Sequence, residues 1–201
     1  MEQVLQQAIE ILKNGGIVAY PTETSYGLGA KFDLKDSLKK LYEIKQRPED
    51  KAMPLIIGNK ELLPVIADSV NSIAIKLMES FWPGPLTIIF PSKENLSEHI
   101  TAGTHKVAVR IPGESIALHL AKSAPFPITA TSANTSGTAP AQDAETVIKF
   151  FGDKIDLVID GGTTSGGFPS TIVDITEEKI KILREGAIQK KLLISIFEDQ
   201  N

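Results

Sequence analysis

The chain contains no cysteine among its 201 residues. That removes structural disulfides, thiol nucleophiles and every metal site built on thiolate. Histidine is scarce as well: His99, His105 and His119 stand at no metal-ligand spacing, and without a carboxylate cluster beside them the sequence predicts no protein-held metal. Aromatic residues make up 6%, with one tryptophan and three tyrosines, too few for an extended surface on which nucleic-acid bases stack. No apolar run approaches the ~18 residues of a membrane span. The opening MEQVLQQAIEIL carries Glu2 and Glu10 where a secretory leader would be cationic. These absences predict a cytoplasmic protein with no membrane partner. No glycine is followed by lysine, which excludes G-x-x-x-x-G-K-[ST], and Gly27-x-Gly29 leads to Phe32 where the dinucleotide fingerprint needs glycine. Any phosphate must then be held by scattered cations and amides.

What is present fits one globular domain over 1–201, with 42% hydrophobic and 23% charged residues. The net charge of −4 gives no global reason to expect nucleic acid, but it is uneven: Lys31 to Lys51 carries +2 and the remainder −6. Val4, Leu5, Ala8, Ile9 and Leu12 share a helical face, ended by Asn14-Gly15-Gly16. Ile17 to Tyr20 reads as a buried strand that Pro21 stops, releasing Thr22 to Tyr26 as an exposed, hydroxyl-dense loop. Asp33 is placed to cap a helix with Leu34, Leu38, Leu41 and Tyr42 inward, running to Lys45-Gln46-Arg47-Pro48.

Further along, Leu55 to Ile57 predicts a strand, and Val70 to Phe81 a helix closed by Trp82-Pro83-Gly84-Pro85. Strands follow at Leu86–Phe90 and Val107–Ile111, a helix at Ile116–Lys122, and a strand at Ile128–Ala130 opening into Thr131 to Gly137. A helix at Glu145–Phe151, strands at Leu157–Ile159, Thr171–Asp174 and Ile180–Leu183, and a helix at Ile188–Phe197 complete the chain. Alternating strands and helices predict an α/β fold with a twisted mixed sheet flanked by helices.

Three polar loops follow strands: Pro21 to Tyr26, Thr131 to Gly137, and Gly161 to Ser170, the last with four glycines in ten residues. Ligands of open α/β sheets gather at the carboxyl ends of strands, so the three loops can line one crevice. Each is equally readable as a surface turn, and the residues alone leave both readings open. Lys45, Arg47 and Lys51 are the cations best placed for phosphate, since an Arg fork matches it bidentately and Lys supplies a point charge. Arg110 ends an apolar strand, where a charge must find solvent, a partner or a ligand. Ser25, Ser132 and Ser170 have no evident His and Asp partners, which argues against a hydrolase triad.

The ordered set Pro21-Thr22-Glu23-Thr24 with Tyr26-Gly27-Leu28-Gly29, Lys45-x-Arg47-Pro48, Trp82-Pro83-Gly84-Pro85-Leu86-Thr87, Arg110-Ile111-Pro112, Ser132-Ala133-Asn134-x-Ser136-Gly137, Pro169 to Asp174 and Arg184-Glu185-Gly186 resembles the YrdC family, the threonylcarbamoyl-AMP synthases. The resemblance implies a concave, electropositive groove and a reaction joining L-threonine, bicarbonate and ATP into threonylcarbamoyl-adenylate and pyrophosphate. By similarity, Lys45 and Arg47 are catalytic and, with Lys51, Ser132, Asn134 and Arg184, hold ATP. Thr24, Arg110 and Ser170 hold threonine, and Mg²⁺ enters through the ATP phosphates. The product would pass to a downstream threonylcarbamoyl transferase acting on transfer RNA, which the first step itself does not need.

Two departures from the family pattern stand out. The segment PEDKAM after Arg47 reaches Pro54-Leu55 late and lacks a following histidine, which takes away an expected threonine contact. The chain also ends about 17 residues after Arg184, as a single-domain form would. Two competing functions are also compatible with the sequence: an RNA-binding module using a basic groove, and a transferase handling another carbamoyl-adenylate, as in a domain of hydrogenase-maturation proteins.

Overall fold

The computed structural model describes residues 1–177 and 179–198. Ten strands and eight α-helices alternate along them. Helix α1 (Glu2–Lys13) buries Leu5, Ala8, Ile9 and Leu12, the stripe anticipated from its spacing. Strands β1 (Val18–Pro21) and β2 (Tyr26–Gly29) precede α2 (Lys35–Lys45) and β3 (Leu55–Ile56). Two helices follow, α3 (Leu63–Ile66) and α4 (Ser72–Phe81), then β4 (Leu86–Pro91), α5 (Glu98–Thr101), β5 (Lys106–Arg110) and α6 (Ile116–Ser123). The remainder is β6 (Ile128–Thr129), β7 (Thr131–Ser132), α7 (Ala144–Phe151), β8 (Leu157–Val158), β9 (Thr171–Asp174), β10 (Lys181–Arg184) and α8 (Lys190–Glu198).

The α/β class anticipated from the sequence is what the chain adopts, with its strands divided between two mixed sheets. One has the order β7, β2, β1, β8 and the other β10, β9, β4, β5, β3, β6. They meet along the backbone around Ala30 and Thr129. Thr129 N and Oγ1 exchange bonds of 2.9 and 2.8 Å with the Ala30 carbonyl and amide, and Tyr20 OH donates to the Thr129 carbonyl at 2.8 Å. The chain leaves β6 in the larger sheet and enters β7 in the smaller one two residues later, so Ser132 arrives beside the β1–β2 hairpin. Tyr20, Leu28, Leu41, Leu55, Ile56 and Phe90, all at most 1% exposed, fill the interior between these layers. Truncating any one of the aliphatic members to alanine costs about 2–5 kcal/mol.

Several local expectations are corrected. Pro21 does not end the strand; it pairs with Tyr26 as the last rung of an antiparallel hairpin. Among the described residues β8 pairs with Val18 and Ala19 alone, so the missing N–H of Pro21 removes no ladder bond on that side. The loop shrinks to Thr22–Ser25, half-buried, and Tyr26 is fully buried in β2. Gly27 and Gly29 are strand residues because a Cβ at either would press on the Tyr20 ring, at 3.2 and 2.8 Å. Asp33 does not cap α2: its carboxylate takes Lys31 Nζ at 2.5 Å, and Leu34 occupies the cap position without a side-chain bond. Val70 lies outside α4, whose cap is Asn71, accepting from the Ala74 amide at 2.8 Å.

Candidate functional site

Helix α2 ends at Gln46, which adopts a left-handed conformation (φ 50°), and this turn swings Lys45 inward and Arg47 across the helix end. Lys45 is 2% exposed, so it is no solvated helix terminus. Its ammonium donates to the backbone carbonyls of Ser132 and, at 2.7 Å, Asn134, and its own carbonyl accepts from Ser136 N at 2.9 Å. Ser132 Oγ donates to Asn134 Oδ1 at 2.5 Å, while Asn134 Nδ2 donates to the carbonyls of Thr135 and Thr138 at 2.9 and 2.7 Å. The Ser132-x-Asn134 loop is thus folded on itself around a lysine delivered from another element. Burial, reinforced by the neighbouring Arg47 charge, pulls the Lys45 pKa down from 10.5 to about 8.

Arg47 spends Nε and Nη2 on the carbonyls of Lys51 and Ala52, at 3.1 and 2.6 Å, and lies over the Tyr42 ring at 5.9 Å. Tyr42 OH also reaches the Lys51 carbonyl at 2.6 Å. The PEDKAM segment is therefore wrapped around Arg47, with the Lys51 side chain outward and exposed.

A second cluster forms where the larger sheet gathers the ends of four strands. β4 runs antiparallel to β5 and parallel to β9, and β10 is antiparallel to β9. Hence the carboxyl ends of β5 and β10, bearing Arg110 and Arg184, lie at the same edge as the starts of β4 and β9, bearing Thr87 and Ser170. Arg110 Nη1 meets Glu23 Oε1 at 2.5 Å, with side-chain exposures of 11% and 21%. Ser170 Oγ is 2.9 Å from Thr87 Oγ1, and Arg184 donates from Nε and Nη2 to the Ser170 carbonyl at 3.0 and 2.8 Å and from Nη2 to its Oγ at 3.1 Å. Desolvation, and then the Arg110 charge, lower the Arg184 pKa; the two guanidiniums sense each other. Glycine at 186 is required here, since a Cβ would fall 2.0 Å from the Pro169 carbonyl oxygen.

The three polar loops do converge, through Tyr26. Its amide donates to the Ala141 carbonyl at 2.9 Å, its carbonyl accepts from Ala133 N at 2.8 Å, and its hydroxyl donates to the Gly162 carbonyl at 2.8 Å and accepts from Gly161 N at 3.1 Å. Of the residues singled out in the sequence, Lys45, Ser132 and Asn134 share one network, and Ser170 and Arg184 another beside Arg110. Arg184 touches Ser170 and not the Lys45 group. Thr24 sits at the hairpin tip, its Oγ1 3.2 Å from Thr22 Oγ1, adjacent in the chain to the carboxylate on Arg110. The sequence places Glu23 in the hydroxyl-dense loop and Thr87 in a strand, and assigns neither a ligand-binding role. Their partners lie 87 and 83 residues away, so no local pattern marks them. Among the described residues, no three or more His, Asp or Glu form a group able to hold a metal.

The family sequence model Sua5_yciO_yrdC, described as telomere recombination, matches residues 10–186. A threonylcarbamoyl-AMP synthase of Pyrococcus abyssi is 40% identical over 187 residues, covering 93% of this chain and 55% of that protein. One of Vibrio parahaemolyticus is 34% identical over 183 residues, 90% of this chain and 98% of that protein. The crystal structure of P. abyssi Sua5 complexed with L-threonine superposes with a TM-score of 0.92 at 38% identity, over 98% of this chain and 58% of that one. The chain therefore spans a little over half the length of its Pyrococcus relative.

Proposed function

The chain belongs to the Sua5/YciO/YrdC family, and on that premise we propose that it joins L-threonine, bicarbonate and ATP into threonylcarbamoyl-adenylate and pyrophosphate. The observation that carries this reading is Arg110. A guanidinium has five N–H donors, and this one, nearly buried and beside a second guanidinium, spends a single bond on Glu23 among the described residues. A planar carboxylate is the ligand that uses the remaining donors bidentately. L-Threonine supplies one, as does the ligand in the related Sua5 complex.

The chemistry follows from two anions that must meet. Threonine's amine, once neutral, captures the carbon of carbon dioxide derived from bicarbonate, and an oxygen of the resulting carbamate attacks the α-phosphorus of ATP while pyrophosphate departs. Lys45, Arg47 and Lys51 lie against the phosphates in this reading, with Ser132 and Asn134 on the nucleotide and Arg184 between it and Ser170. Thr24, Arg110 and Ser170 hold threonine. Preorganised donors of this kind are each worth about 3–4 kcal/mol of barrier. Mg²⁺ would enter as part of the ATP substrate, held by its phosphates, where it would offset the charge of the leaving pyrophosphate.

Bicarbonate, ATP, a downstream threonylcarbamoyl transferase and a cytoplasmic setting belong to the same proposal; transfer RNA is the eventual acceptor and not a requirement of this step. No helix of the described residues is long and apolar enough to cross a membrane. The test is pyrophosphate release from ATP with Mg²⁺ present. Release that stops when either L-threonine or bicarbonate is withheld supports the assignment; release indifferent to both sinks it.

A further inference from the structure

Glu23 Oε2 is shut off from solvent and has no hydrogen-bond partner among the described residues, although Oε1 of the same carboxylate is engaged by Arg110 at 2.5 Å. A buried carboxylate oxygen without a donor is costly, and native proteins rarely leave one without a reason. We propose that Glu23 Oε2 accepts the α-ammonium of the amino-acid substrate, an inference that rests on the function proposed above.

The surrounding charges match a zwitterion. Arg110 and Arg184 supply unspent cationic donors for the carboxylate, and the free oxygen of Glu23 lies on the same ion pair. The glycine-rich strap 161–170 borders the hairpin tip that carries Glu23. Its base is fixed by Tyr26 OH to Gly162 and by Thr164 N to the Gln142 carbonyl, both at 2.8 Å. Among the described residues its hold on the hairpin tip is one long bond, Ser165 Oγ to the Glu23 carbonyl at 3.5 Å. Gly166 and Gly167, at φ of +70° and +123°, hold a backbone that glycine adopts without strain, and in this proposal the strap shifts beyond its fixed base to admit the ligand nitrogen.

Glu23→Gln tests this, because the amide keeps the shape and an acceptor for Arg110 but turns a donor toward the ammonium. Calorimetry on the full chain compares L-threonine with (R)-3-hydroxybutyrate, which keeps the carboxylate and hydroxyl and lacks the amine. Wild type should prefer L-threonine by about 30-fold or more, and E23Q should lose about that factor for L-threonine while holding (R)-3-hydroxybutyrate within about threefold. Equal weakening of both ligands would mean that Glu23 acts only through Arg110, and would overturn the inference, as would unchanged threonine binding. The wild-type comparison decides even if E23Q fails to fold: equal affinities for the two ligands show that the ammonium is not read. A wild type that binds neither ligand fails the proposed function itself.

Discussion

Two cations anchor the two side-chain clusters of the candidate site, and their bonds are used in opposite ways. Lys45 is 2% exposed and closes its bonds on backbone carbonyls 87 and 89 residues away, so it pins the end of α2 to the Ser132–Asn134 loop. Among the described residues Arg110 has bonded only a carboxylate, which itself has an oxygen to spare. One cation is a clamp that also carries charge. The other is held ready, with the fold around it supported elsewhere. A buried charge supports the architecture through the bonds it has already made, while its field and its remaining donors stay available to a ligand.

The largest effect expected from this contrast is that of Lys45→Ala. Leaving the two carbonyls unpaired should lower unfolding free energy by about 2–4 kcal/mol in denaturant titration. The loss of the charge should cut pyrophosphate release by about 10² to 10³. Fold and function fail together at the clamp. Arg110→Lys sharpens the opposite case, because it keeps a cation for Glu23 and removes the planar fork. The KM for threonine should rise by about 10- to 100-fold with that for ATP unchanged and stability within about 1 kcal/mol. An equal rise in both KM values would break the division into two halves.

Arg47→Ala lies between these. Its guanidinium already carries the turn through Lys51 and Ala52, so a fall in turnover of about 10²-fold should come with a measurable loss of order in that segment by hydrogen exchange. A pH series then isolates the clamp's charge. Lys45 is protonated below about 8 and loses its proton in the folded protein as pH rises through that value. Catalytic efficiency toward ATP should therefore fall along an upper limb near pH 8, about tenfold per unit. Stability moves the other way. The unfolded chain keeps that proton up to about 10.5, so this lysine's burial cost is full below pH 8 and is relieved between 8 and 10.5. The smallest effect belongs to Ser170→Ala, which removes one hydroxyl from the Thr87–Arg184 contact and should raise the KM for threonine by about tenfold or less.

Much of this arrangement is visible in the sequence, for reasons that can be named. The buried stripe of α1, the strap's glycines and the charge of Arg110 at the end of an apolar strand are local patterns, and the ordered motifs identify the family. Pro21 misleads because a proline ends a strand only where its N–H is needed, and β8 stops two residues short of it. Asp33 offers a good cap but finds Lys31 two residues away instead. The pairing of Glu23 with Arg110 and of Lys45 with the Ser132 loop depends on strand order across two sheets. The passage from β6 to β7, which joins those sheets, has no signature in residue type.

The claim that the clamp and the poised arginine serve two ligands in one site is tested most directly by titrating L-threonine calorimetrically into the protein with and without a non-hydrolysable ATP analogue and Mg²⁺. With both ligands in one site, the nucleotide changes threonine affinity by about 5-fold or more. An identical affinity in both titrations would contradict it.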